Sequence, residues 1–202
     1  MRSLTFRNIG FRPLPDVWEE MKQFTDERNR KTQDEVWLVE HPPIYTLGLN
    51  SDPDHILEVG KIPVLKIDRG GQVTYHGPGQ LIAYVLLDLK RSRFSVRSTV
   101  EALEAAVIRT VALYGIDAHG RRDAPGVYVG DKKLAAIGLR VRRHCTYHGL
   151  AVNVNMDLTP YESINPCGFE GLQVIQLSDL SDDIDMPRVR IDLETMLRAS
   201  LS

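Results

Sequence analysis

Thirteen residues, Arg69-Gly70-Gly71-Gln72-Val73-Thr74-Tyr75-His76-Gly77-Pro78-Gly79-Gln80-Leu81, constrain this chain more than any others. Four glycines and a proline fall within them, beside an arginine, a histidine and three neutral polar side chains. Glycine costs backbone entropy, and a core strand is not built this way. Such a run marks positive φ or a close approach to the main chain. Between the glycines, Gln72 to His76 can be extended, with Val73 and Tyr75 facing one way and Gln72, Thr74 and His76 the other. Apolar runs flank the stretch, Ile62 to Ile67 before and Leu81 to Leu89 after. Two strands therefore hold a loop, and a loop held by a scaffold is a common platform for a site. A glycine-rich hairpin that binds nothing is the alternative.

A chain of 202 residues that is 43% apolar and 26% charged is expected to form one soluble domain over residues 1–202. The net charge of −2 argues against general nucleic-acid binding. No run of about 18 apolar residues is present, so no membrane span is expected. The segment Met1 to Asn8 has no apolar signal core, and the two cysteines, Cys145 and Cys167, are too few for a disulfide framework. A reducing cytoplasm with free thiols is the simplest setting.

Leu4 to Ile9 alternates as a strand. Pro13 and Pro15 break the pattern, and Asp16 is placed to cap a helix to about Lys31. Val36 to Val39 and Ile44 to Leu47 are short strands separated by Glu40-His41-Pro42-Pro43. Ser98-Thr99-Val100-Glu101 has capping-box form, and Leu103, Val107, Val111 and Tyr114 then line one helical face up to Gly115. Gly126 to Val141 is a hairpin turning at Gly130-Asp131. In a second arm without a bulge, Lys133 shares a face with Ala135, Ile137, Leu139 and Val141. Leu150 to Val154 is a strand, an irregular run follows to Gly171, and a last helix covers about Pro187 to Ser200. The order implies α/β (α+β) architecture, a mixed β-sheet with packed helices.

Two residues invite chemistry. Cys167 lies in Pro166-Cys167-Gly168, a turn rather than an apolar element, and is open to either a reactive or a structural reading. Cys145 reads as structural. A nucleophilic thiol needs a neighbouring cation or base, and Lys133, His76, His148 and His41 are available. Lys133, at the end of an apolar row, is either a surface lysine or one whose pKa burial lowers toward base chemistry. No zinc-like spacing, phosphate-binding loop or G-x-S-x-G elbow occurs. The basic run Lys90 to Arg97 is a solvated connector or a docking patch, and Arg140, Arg142 and Arg143 form a second basic group.

Four segments together resemble the lipoyl(octanoyl) transferase family, the octanoyl-[acyl-carrier-protein]:protein N-octanoyltransferases of lipoate-protein ligase B type. They are Glu40-His41-Pro42 with Thr46-Leu47-Gly48; Arg69 to Gln80; Lys133-Leu134-Ala135-Ala136-Ile137-Gly138; and His148-Gly149-Leu150 with Asn153 and Pro166-Cys167-Gly168. The resemblance implies a fold similar to the catalytic domain of biotin and lipoate protein ligases, and no cofactor or metal. It implies a cysteine acyl-enzyme at Cys167 with Lys133 as the catalytic lysine. Residues matching the acyl pocket are Arg69, Gly70, Gly71, Gln72, Val73, Thr74, Tyr75 and His76, then Ala136, Ile137 and Gly138, and Gly149, Leu150 and Ala151. The implied donor is octanoyl-acyl carrier protein. The implied acceptors are lipoyl domains of 2-oxoacid dehydrogenases and the glycine cleavage H protein. His76 is expected to orient the acyl carbonyl or carry a proton, and main-chain N–H groups near Gly70-Gly71 or beside Cys167 to hold the oxyanion.

Two other functions compete. An ATP-dependent ligase on the same fold needs no cysteine, and its glycine run is denser than Arg-Gly-Gly-Gln-Val-Thr. A non-catalytic module would dock a peptide on the glycine-rich loop and leave Cys167 inert.

Overall fold

The computed structural model describes residues 4–58 and 60–201. Met1 to Ser3, part of the segment searched for a signal, lie outside them. A seven-stranded sheet forms the frame. Its strands are β1 (Leu4–Phe11), β2 (Asp34–Glu40), β6 (Gln80–Leu86), β10 (Cys145–Asn153), β9 (Lys132–Arg142), β8 (Gly126–Val129) and β7 (His119–Gly120), in that spatial order. Among the described residues of this sheet, only the β1–β2 pair is parallel. A three-stranded sheet, β4 (Val64–Lys66), β3 (Ile44–Leu47) and β5 (Thr74–His76), stands beside it.

Alternation along the central strands gives the large sheet two apolar faces. One carries α3 (Val96–Ala112) and α4 (Met186–Ser200). Leu103, Val107 and Val111 of α3 and Val189, Leu193 and Leu197 of α4 pack with Val36, Leu38, Leu81, Ala83, Leu150 and Val152. The other face carries α1 (Leu14–Glu27), whose Val17 and Met21 meet Trp37, Val39, Ile82, Tyr84 and Ala151. A helix stripe at i, i+4 and i+8 gives this outcome because each buried Leu or Val side chain contributes roughly 1.5–3 kcal/mol.

The helix starts differ from expectation for local reasons. Pro13 and Pro15 open α1 rather than ending the preceding structure. The first turn needs no N–H from these residues, so proline fits it, and Asp16 falls inside the helix. The α1 helix stops at Glu27, short of Lys31. The cap of α3 is Ser95, not Ser98: the Ser98 N–H donates to Ser95 Oγ at 3.0 Å, and the Ser95 N–H to Ser98 Oγ at 2.9 Å. Serine at the third position can return the capping bond as glutamate does. The basic run splits into a short helix, α2 (Leu89–Ser92), and the start of α3. Arg91 pairs with the buried carboxylate of Asp34, and Arg97 with Glu101, which favours the connector reading for these two.

The glycine-rich stretch folds as a loop running into β5, then a Gly-Pro-Gly turn into β6. Its entry depends on a close approach. A Cβ on Gly48 would lie 2.0 Å from the Gly71 carbonyl oxygen, so only glycine admits the loop against the end of β3. No helix among the described residues is long and apolar enough to cross a membrane.

Candidate active site

Between the face of the large sheet and the glycine-rich loop lies an apolar trough. Arg69, Gly70, Gly71, Gln72, Val73, Thr74 and His76 line one side. Ala136, Ile137, Gly138, Gly149, Leu150 and Ala151 line another, and Cys167 stands at its edge. Four segments far apart in sequence thus converge. Tyr75 is the exception: it is 3% exposed and turns away from the trough, against Tyr45 and Tyr161. The strand alternation that sends Thr74 and His76 inward requires this.

Two cross-strand rungs make the floor. Gly138 pairs with Gly149, and Ala136 with Ala151. Small residues at these four positions leave room above the sheet. At Gly149 a Cβ would lie 1.9 Å from the Ala83 carbonyl oxygen, so the rung also depends on glycine for strand packing.

Cys167 sits in a one-turn 3-10 segment, Pro166–Gly168, with φ 57° and ψ 15°. This left-handed backbone is costly for a residue with a Cβ, roughly 1–2 kcal/mol. The Cys167 N–H donates to the Val73 carbonyl at 3.2 Å, which ties the turn to the glycine-rich loop. Lys133 arrives from β9. Its Nζ lies 2.9 Å from Cys167 Sγ, 3.1 Å from the Pro125 carbonyl oxygen and 5.2 Å from the Tyr128 ring centre.

The position of Lys133 rests on a bulge. Val127 pairs with Ala135, but Tyr128 pairs with Lys133, so Leu134 is the extra residue. The simple alternation would have set Lys133 in one row with Ala135, Ile137 and Leu139. Those three pack toward α3 and α4, while the lysine turns to Cys167. Its titration also departs from expectation. Burial pulls the ammonium down, but the charge of Cys167 and hydrogen bonds to Cys167 and Tyr128 outweigh it, and the pKa is raised. The side chain is 4% exposed, which sets aside the surface reading.

The three histidines offered as alternatives do not bond the thiol. His76 Nδ1 lies 2.7 Å from Gln80 Oε1 and Nε2 3.4 Å from Thr46 Oγ1. Burial, helped by His41, lowers its pKa to about 3, so it lines the trough as a neutral ring. His41 and His148 are likewise lowered, chiefly by burial, and His41 to about 4. His148 Nε2 bonds Asp68 at 3.0 Å. Asp68 also accepts from Trp18 and Tyr147; these bonds overcome burial and hold its carboxyl well below the usual range.

Arg69 is buried, and its hydrogen bonds run to neutral oxygens. Nε and NH2 donate to Thr46 Oγ1 at 3.2 and 2.8 Å, NH2 to the Thr46 carbonyl at 2.7 Å, and NH1 to the Gly70 carbonyl at 3.0 Å. Burial lowers its pKa to about 10, which leaves it charged at neutral pH. The guanidinium therefore pins the loop to β3. Of the expected oxyanion donors, the Gly70, Cys167 and Gly168 amides are already committed, to the carbonyls of Leu139, Val73 and Asn165. Cys145 is buried, and burial raises its thiol pKa, in keeping with a structural role.

Sequence reasoning missed Ile67, Ile82 and Tyr84, which also line the trough. Their apolar runs look like core strand, and only the sheet register sets Ile82 and Tyr84 beside Ala151 and Gly149.

Solved structures share this architecture. A T. acidophilum protein described as a lipoate protein ligase, with bound lipoic acid, superposes with a TM-score of 0.79 at 16% identity, over 100% of this chain and 86% of its own. A lipoate-protein ligase A bound with ATP gives 0.75 at 17% identity, over 100% and 86%. The Aquifex aeolicus biotin protein ligase, with biotin and ATP, gives 0.60 at 14%, over 100% and 71%. The fold is that of the lipoate and biotin protein ligases. Residues 15–197 match the family described as the lipoyl protein ligase A/B catalytic domain. Octanoyltransferases from Marinomonas sp. and Pseudomonas syringae pv. syringae are each 50% identical to this chain. The first match covers 98% of this chain and 92% of the relative, the second 96% and 89%. The chain belongs to the lipoyl protein ligase A/B catalytic domain family.

Proposed function

We propose that this protein is an acyltransferase that moves an octanoyl group from octanoyl-acyl carrier protein to a lysine of lipoyl domains. Those of 2-oxoacid dehydrogenases and the glycine cleavage H protein are the acceptors, and the cytoplasm is the setting. The observation that carries the proposal is the 2.9 Å contact between Lys133 Nζ and Cys167 Sγ at the edge of an apolar trough. The 50% identical octanoyltransferases support the acyl group.

In this mechanism Cys167 reacts as its thiolate, with the Lys133 ammonium beside it. Cys167 Sγ attacks the thioester carbonyl, the bond to the carrier's sulfur breaks, and that sulfur leaves with a proton from Lys133. Thioester exchange is nearly balanced, so this step depends on positioning. Acylation removes the thiolate charge that holds the Lys133 pKa up, and burial remains to pull it down. Lys133 is then an amine ready to take the proton of the incoming acceptor lysine. The acceptor nitrogen attacks the acyl carbonyl, the amide forms, and Cys167 returns as thiolate. The Gly71 amide and the Lys133 ammonium are the donors proposed for the oxyanion. Neutral His76 walls the trough and orients the acyl group rather than carrying a proton.

The discriminating experiment supplies octanoyl-acyl carrier protein and an apo lipoyl domain without ATP. Octanoylated acceptor is expected. Modification only with ATP and free octanoate would make the protein a ligase and overturn the proposal.

A further inference from the structure

The trough has a built end. From β9 to β10 to β6 its two rungs read Gly138–Gly149–Tyr84 and Ala136–Ala151–Ile82. Each rung is small, small, large. Cys167 lies at the β9 side, near Ala136 and Lys133, so Tyr84 and Ile82 close the opposite end. Two strand spacings separate β9 from β6, about 9.6 Å. Along β5 the span is similar. Val73, which bonds Cys167, and His76, whose ring is 6.3 Å from that of His41, are three residues apart, about 10 Å. An extended eight-carbon acyl chain has seven carbon–carbon bonds and spans about 9 Å at roughly 1.25 Å each.

Tyr84 is fixed from behind. Its hydroxyl donates to His41 Nε2 at 2.8 Å, and His41 Nδ1 donates to the Arg12 carbonyl at 2.6 Å. A carbonyl only accepts, so Nδ1 carries the proton and Nε2 is the acceptor. The ring is 5% exposed and meets His148 edge-on at 6.1 Å. Backed in this way, the tyrosine cannot swing aside for a longer chain without breaking a buried hydrogen bond.

We propose that Tyr84, braced by His41, is the stop that sets acyl-chain length: the methyl end of the acyl group abuts its ring. This rests on the reading of the trough as the acyl pocket. The brace makes His41 a positioning residue, buried behind the wall rather than exposed to the chain.

The experiment offers the protein an equimolar set of acyl-pantetheine thioesters, from six to fourteen carbons in even steps, and reads the acyl-enzyme by intact mass. Wild type is expected to carry mainly octanoyl. In Tyr84→Val the decanoyl and dodecanoyl adducts should rise at least about tenfold relative to octanoyl, since each newly buried methylene is worth about fourfold. An acylated Tyr84→Val with the wild-type profile overturns the stop. A second measurement uses wild type alone, photolysed with free octanoic acid bearing a terminal diazirine and mapped by peptide mass. Label at Tyr84, Ile82 or His148 supports the stop, and label confined to Gln72, Lys133 or Cys167 overturns it. Wild type that takes no acyl group yet is photolabelled at Tyr84 would sink the thioester mechanism and leave the stop standing.

Discussion

Lys133 Nζ donates to Cys167 Sγ over 2.9 Å, and the same nitrogen donates to the Pro125 carbonyl over 3.1 Å. The lysine is thus held by a neutral oxygen on one side and tuned by a chargeable sulfur on the other. In the proposed mechanism, acylation of Cys167 would remove the sulfur's influence on the lysine while the Pro125 contact remains.

Lys133→Arg separates the two steps. Arginine keeps the positive charge but does not give up its proton at accessible pH. Octanoyl loading of Cys167 should survive in the variant at a reduced rate, because the carrier's sulfur can leave as a thiolate and take from water the proton that Lys133 otherwise supplies. Transfer to the lipoyl domain should fall by about 10²–10⁴, the usual range for loss of a general base. Single-turnover kinetics read both steps, and equal losses in the two would contradict the division of roles.

The buried histidines predict a pH dependence of stability. Burial lowers the pKa of His41 and His76 from the ordinary 6.5 to about 4 and about 3. A base with a depressed pKa contributes stability that is fully present above its unfolded pKa and is lost as pH falls toward the folded one. The urea midpoint should therefore drop between pH 6.5 and 4, with roughly 3 kcal/mol from His41 alone. His41→Gln should flatten this slope, and an unchanged slope would refute the assignment.

Thr46 Oγ1 accepts two hydrogen bonds from buried Arg69. Thr46→Val keeps the shape and leaves those donors without their acceptor. A loss of about 1–3 kcal/mol in unfolding free energy is expected, with weaker self-acylation because the loop is less firmly held. Chemical denaturation checks the first effect.

Gly48→Ala drives a Cβ toward the Gly71 carbonyl, where the space is 2.0 Å. Backbone cannot yield as a flexible side chain can. The substitution should destabilise the protein by about 1–3 kcal/mol and lower acyl loading. A variant with wild-type loading would show that the loop has another resting place.

The frame was legible in the sequence because its signals are local. Leu103, Val107 and Val111 announce a helix face, and the glycines of residues 69–81 announce a loop with positive φ. The sequence offered Lys133 as one of four possible partners of Cys167, and only the family resemblance singled it out. The physical basis of their contact, the extra residue at Leu134, depends on which strand residue faces which, and no local pattern states that. The wall formed by Tyr84 and Ile82 was hidden for the same reason: Leu81 to Leu86 has the composition of a core strand on either face. Pro13 and Pro15 misled because a proline that ends one structure also suits the first turn of a helix. Tyr75 followed the alternation of its own strand and left the trough, against the motif match.

The measurement that bears most directly on the central claim is the intact mass of the protein after exposure to octanoyl-acyl carrier protein. The account predicts one added octanoyl group, removed by hydroxylamine at neutral pH and absent from Cys167→Ala. An unmodified wild-type mass under conditions that support transfer to the lipoyl domain, or an adduct retained in Cys167→Ala, would contradict it.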